Sequence, residues 1–199
     1  VVKEGVYLKD YAVGYMWGTL GILFNPEYMG FDREEAIRDM QSFGALWDSK
    51  YQGSISIKNS MRDTYALGVM YTYSEEFQDI KDKLEAGKIT VDEYREQFAS
   101  IFNRCEPKQV DEVAKSLEAL KKNIFGLEVD SGKQDIITKK IGVNLAWSGD
   151  AVYSMDQGED LNQVSELVEL CYAVPELGSH LWFDAWIMPN CQRSQAQYE

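Results

Sequence analysis

Cysteine, histidine and proline are all scarce. The 199 residues include three cysteines (Cys105, Cys171 and Cys191), one histidine (His180) and four prolines. An odd number of widely spaced cysteines argues against a disulfide framework and provides no metal-ligand spacing. With one histidine there is no cluster for a His-based metal site or proton relay, so His180 reads as a structural side chain. Basic residues are also few, 20 Lys and Arg against 33 Asp and Glu, for a net charge of −13. That balance argues against nucleic acid and anionic membrane surfaces, which require basic patches. No apolar run reaches the roughly 20 residues of a transmembrane helix, and no signal peptide is visible. Glycines are scattered and form no phosphate loop, and Ser148-Gly149 lacks the flanks of a nucleophile elbow. No catalytic constellation, metal site or cofactor site is apparent, which favours binding over catalysis. The chain opens at Val1 and closes on a polar stretch, Gln192 to Glu199. Both ends are expected to lie inside a longer protein.

What is present is a globular, aromatic-rich composition, 45% hydrophobic and 13% aromatic, sufficient for one domain or slightly more. Tyr11 to Asn25 is an apolar, Gly-punctuated run, expected to form one or two buried strands with a turn. Asp32 opens a helix with Glu35 placed to complete a capping box, and Ile37, Met40 and Phe43 to Trp47 carry its apolar face. A short strand, Ser54 to Ile57, leads through Asn59-Ser60 into a helix bearing Met61, Tyr65, Leu67 and Met70. Strand, polar cap and helix in succession is the α/β arrangement for a ligand-facing loop. Residues 74–122 are charged and helical, with a second capping box at Thr90 to Glu93 and a helix starting near Pro107. The α/β pattern then returns: a strand at Leu127 to Val129, a helix over 131–140, and an alternating strand from Ile141 to Trp147. Ser148-Gly149-Asp150 turns into another helix, and the strands 169–174 and 181–188 end the series. The fold class read from this order is α/β, with a helical excursion in its middle.

The segment Leu181-Trp182-Phe183-Asp184-Ala185-Trp186-Ile187-Met188 sets one carboxylate in an apolar strand. Alternation places Trp182, Asp184, Trp186 and Met188 on one face, with the Trp182 indole and the Asp184 carboxylate roughly 7 Å apart. A buried acid requires a cation or hydrogen-bond donors, and an indole face attracts cations. The pair therefore reads as half of a receptor for an organic ammonium, or else as an acid satisfied by backbone N–H groups at a strand end. Asn59 to Asp63 and Trp147 to Asp150 are two further strand-to-loop junctions that carry an acid. Asp150, at a helix start, reads first as a cap.

Four motifs, in order, carry a resemblance: Tyr15-Met16-Trp17-Gly18-Thr19-Leu20-Gly21-Ile22, Leu46-Trp47-Asp48-Ser49-Lys50-Tyr51-Gln52-Gly53, Leu145-Ala146-Trp147-Ser148-Gly149-Asp150-Ala151 and Leu181-Trp182-Phe183-Asp184. Together they resemble the spermidine/putrescine-binding proteins of bacterial ABC importers, whose versions read approximately Y-x-W-G-T-T-G-I, L-W-D-P-K-Y-K-G, W-S/N-G-x-A and W-x-D. The resemblance implies a type II periplasmic-binding-protein-like lobe with a central mixed sheet flanked by helices. It makes 1–24 the start and first inter-lobe crossing, 25–181 the second lobe, and 182–199 the return crossing. Within the helical excursion over 74–122, the charged stretch between Tyr73 and Glu112 is longer than the family's usual connection and is expected to add a helical hairpin on the outer surface with no ligand role. By this resemblance the first lobe of a parent chain is expected to lie outside this sequence.

By the same resemblance Trp182 stacks along polyamine methylenes, Asp184 pairs with an ammonium, and Trp147 is a second wall. Asn59-Ser60-Met61-Arg62-Asp63 aligns with an acid-rich D-D-x-R-E segment, which makes Ser60 and Asp63 ligand contacts. Here Asn59 and Ser60 are neutral, and Asp63 replaces a Glu. Fewer acids shift the expected solute from a triamine toward putrescine or another small cation. The resemblance implies a non-enzymatic, periplasmic or extracytoplasmic protein, membrane-associated through an anchor or its ABC permease partner. The alternatives are the same fold serving another solute, a sensor or enzyme module reusing the scaffold, or a domain with a degraded pocket. Trp17, in the expected crossing, reads as core.

Overall fold

The computed structural model describes residues 2–3, 6–162 and 169–189, and the chain divides into two compact units. One is Thr19–His180; the other joins Val1–Gly18 to Leu181–Glu199. The described strands are β1 (Val2–Lys3), β2 (Val6–Tyr7), β3 (Ala12–Phe24), β4 (Ile55–Lys58), β5 (Ile124–Glu128), β6 (Val143–Trp147), β7 (Cys171–Ala173) and β8 (Leu181–Ile187). The α-helices are α1 (Arg33–Asp39), α2 (Met61–Thr72), α3 (Ser74–Glu85), α4 (Val91–Phe102), α5 (Pro107–Leu120), α6 (Gly132–Ile137) and α7 (Ser148–Asn162). Cys191 lies outside the described residues, while Cys105 and Cys171 are free thiols.

The central sheet is mixed, as the family resemblance implies. Its order is β5-β4-β6-β3-β7, with β8 also paired to β3. β4 runs parallel to β5 and β6, whereas β3 is antiparallel to β6 and β7. Strand alternation then assigns the core to two faces. Ile22, Phe24, Val143 and Leu145 join the larger cluster with Met40, Leu46, Leu67 and Val113, while Leu23 and Ala146 meet Ile136, Ile137, Ile141 and Ala151 on the other side. Each fully buried Leu or Ile contributes roughly 1.5–3 kcal/mol, so these two clusters are the main source of stability of the larger unit.

The run at Tyr11 to Asn25 forms a single 13-residue strand, without the turn admitted by its glycines. Gly21 is needed there for a different reason. A Cβ at this position would lie 2.6 Å from the Ala173 carbonyl oxygen and 2.5 Å from the Tyr172 ring. Only the second half of β3 is buried. Trp17, expected in the core, is 72% exposed, and Val13, Tyr15 and Met16 are exposed as well. On β8, Leu181, Phe183, Trp186 and Ile187 are likewise exposed.

Asp32 caps α1 by accepting the Glu35 N–H at 2.8 Å. The capping box is not completed, because the Glu35 carboxylate instead takes the Lys50 ammonium at 2.6 Å. The helix stops at Asp39, and Phe43–Trp47 continues as a separate 3₁₀ turn that still buries Phe43, Ala45 and Leu46. At Thr90 the box is complete: its hydroxyl accepts from Glu93 N–H at 3.2 Å and its N–H donates to the Glu93 carboxylate at 2.7 Å. Within residues 74–122, α3 and α4 form the helical hairpin, joined through Phe77 and Phe98 with ring centres 4.6 Å apart. The third helix, α5, belongs to the core. Val113 and Leu120 are buried, and Gly68 of α2 lets Val113 and Leu117 approach closely.

Candidate functional site

In the larger unit the parallel strands β5, β4 and β6 end side by side at Glu128, Lys58 and Trp147. The carboxyl edge of parallel strands is where α/β sheets place ligands. Here the edge holds an internal cation. The Lys58 ammonium is 2.7 Å from Glu128 Oε1 and 3.4 Å from Asp150 Oδ2, and the Lys58 and Glu128 side chains are both almost fully buried. The same ammonium lies 4.4 Å from the centre of the Trp147 ring. Glu128 is fixed from the other side by the Gly132 N–H, 3.1 Å from Oε2.

Asp150 sits in the first turn of α7, where the helix dipole favours an acid. Its second oxygen faces Lys133 Nζ at 3.4 Å, and Lys133 also reaches Asp130 at 2.5 Å. The hydrogen bond with Asp130 holds the Lys133 ammonium above its ordinary range and the Asp130 carboxyl below it. Asp150 thus serves two lysines rather than capping α7, which begins at Ser148.

The other residues expected to line a site in this unit have structural partners. The Ser60 hydroxyl is the N-cap of α2 and accepts the Asp63 N–H at 3.3 Å. The Asp63 side chain is buried, and its Oδ1 lies 3.5 Å from His180 Nδ1. The lone histidine, expected to be bland, is therefore the neighbour of a buried acid. Arg62, next to Asp63 in sequence, is exposed.

In the smaller unit, Trp182 and Asp184 both lie on β8. Trp182 is half-buried, and its indole N–H has no hydrogen-bond partner among the described residues. Asp184 is exposed, so the burial cost inferred from its apolar strand does not arise in this chain. No described residue forms an ion pair with it. Trp186 packs edge-on against Tyr15, with ring centres 5.2 Å apart. The structure therefore groups Ser60 with Asp63, Trp147 with Asp150, and Trp182 with Asp184 along one strand.

Lys58 and Glu128 are the two residues of this arrangement not singled out from the sequence. The available signals were a lysine directly after the short strand Ser54 to Ile57 and an acid inside the short strand Leu127 to Val129, the latter placed as Asp184 is within its own strand. Among the described residues no group of three or more His, Cys, Asp or Glu side chains is placed to hold a metal ion. No described helix is long and apolar enough to cross a membrane.

No protein-family model and no curated protein matches the chain. Solved structures do. The spermidine/putrescine ABC transporter substrate-binding protein PotD of Streptococcus pneumoniae is 22% identical with a TM-score of 0.64, covering 96% of this chain and 46% of that one. A putative spermidine/putrescine ABC transporter from Listeria monocytogenes is 23% identical with a TM-score of 0.61, covering 90% and 42%. The periplasmic binding protein MotA of A. tumefaciens, in complex with glucopine, is 15% identical with a TM-score of 0.58, covering 93% and 46%. This chain spans less than half the length of each of these structures. What it shares with them is the fold, an α/β unit of the kind from which substrate-binding proteins of ABC transporters are built.

Proposed function

We propose that this chain is the second lobe of an extracytoplasmic solute-binding protein. It captures a small organic cation of the polyamine class and delivers it to an ABC permease. Binding without catalysis is the whole of its chemistry. The observation that carries the reading is Asp184: an exposed carboxylate with no described cationic partner, two residues from the Trp182 indole on β8, in a fold shared with proteins whose names specify spermidine and putrescine. A carboxylate offers a charge-assisted acceptor to an ammonium, and an indole face adds attraction and covers the methylenes. The exposed apolar side chains of β3 and β8, among them Val13, Tyr15, Trp17 and Phe183, favour a covering first lobe in the parent protein. Contacts available only when two lobes close would drive closure, and the closed form would be the one presented to the permease.

The glucopine complex of MotA supports a second reading, in which the same scaffold serves another kind of solute. Calorimetry on the two-lobed protein separates the two. Putrescine or spermidine should release heat with a saturable isotherm, and neither should do so if the solute belongs to another class.

A further inference from the structure

The polyamine reading treats Trp147 as a wall for the ligand, yet one part of that wall is already taken. The Lys58 ammonium has the surroundings that a receptor for an alkylammonium would provide: one carboxylate at 2.7 Å, a second at 3.4 Å, and an indole ring centre at 4.4 Å. These groups come from the ends of β5 and β6, the two strands that flank β4, and from the first turn of α7, at the edge of the sheet where ligands of α/β proteins bind. Asp150 keeps a fifth of its side chain exposed, so one wall of this arrangement reaches solvent.

We propose that Lys58 is a specificity-determining residue whose ammonium permanently occupies a cation subsite formed by Glu128, Asp150 and Trp147. The proposal rests on the polyamine reading and deepens it. With this subsite filled from within, the larger unit accepts one ligand ammonium fewer than its acids would allow. Asp63 does not replace the lost acceptor, since it is buried against His180. The consequence is discrimination against a triamine such as spermidine in favour of a shorter diamine such as putrescine. An extra ammonium brought to this edge meets a resident cation rather than a free carboxylate.

The test is Lys58→Ala, which removes three methylenes and the ammonium, the equivalent of propylammonium. In this chain, thermal unfolding is followed while propylammonium chloride is titrated, with sodium chloride and propanol as controls. The expected result is saturable stabilisation of Lys58→Ala by propylammonium alone, with no such effect on the wild type. If the variant does not fold unaided, native circular dichroism should be recovered on refolding with propylammonium and not with sodium chloride. Failure of propylammonium to restore stability or folding overturns the subsite. In the two-lobed protein the spermidine-to-putrescine affinity ratio should rise about tenfold or more in Lys58→Ala, the worth of one charge-assisted contact. Equal weakening of both ligands would mean that Lys58 only supports the fold, and would overturn its role in specificity. Rescue by propylammonium together with an absence of any polyamine binding would remove the polyamine reading and leave the subsite standing.

Discussion

The Lys58 ammonium lies 4.4 Å from the centre of the Trp147 indole, with the two residues at the carboxyl ends of neighbouring parallel strands. This contact, with Glu128 and Asp150 behind it, makes the edge of the sheet a self-neutralised patch rather than an open acidic one.

Glu128→Gln should be strongly destabilising. It leaves a nearly fully buried ammonium with only its more distant carboxylate, and breaking a buried pair costs about 3–5 kcal/mol. The double variant Lys58→Met/Glu128→Leu should recover most of that loss, because neither charge is left unpaired. Urea unfolding of the wild type, the single variant and the double variant measures both effects. A Glu128→Gln stability within about 0.5 kcal/mol of wild type would place the pair in solvent.

Gly21→Ala should destabilise by about 1–3 kcal/mol, the usual cost of forcing atoms into a packed interior. The added methyl meets the Ala173 carbonyl, a backbone atom that cannot swing aside as a side chain would. Denaturant midpoints at constant slope provide the check, and an unchanged midpoint would mean that β7 shifts without cost.

Stability should fall as the solution is acidified below about pH 4. Burial raises the Asp39 carboxyl, but hydrogen bonds from Lys50 and from Tyr51 at 2.8 Å outweigh it, leaving the group below its ordinary value. Glu76 is lowered chiefly by its hydrogen bonds with Arg104, at 2.6 and 2.8 Å. A carboxyl depressed in the folded state contributes fully above its unfolded value and loses that contribution as pH drops through the folded one. Melting curves from pH 7 to pH 3 should show this loss, and Asp39→Asn should flatten it. An unaltered acid limb in Asp39→Asn would contradict the assignment.

Local signals in the sequence were legible where they depended on near neighbours. The Thr90 capping box, Pro107 at a helix start and the Ser60 cap need only the residues within one turn, and each stands in the structure as the pattern implies. Fates decided across the sheet were not legible. Glu35 left its capping role for Lys50, 15 residues away. Trp17 is exposed because the described chain provides nothing to cover that part of β3. Lys58, Glu128 and Asp150 are 70 and 22 residues apart in turn, and only the parallel register of β4 and β5 with the start of α7 brings their charges together. Of the residues expected to contact ligand, Asp184 alone carries a carboxylate that is both exposed and without a described partner.

The most direct measurement is titration calorimetry of putrescine into the two-lobed protein and into its Asp184→Asn variant. The account predicts a saturable isotherm for the wild type and affinity weakened at least about tenfold in Asp184→Asn, the worth of one charge-assisted contact. Equal affinity for the two proteins, or no putrescine heat in the wild type, would contradict it.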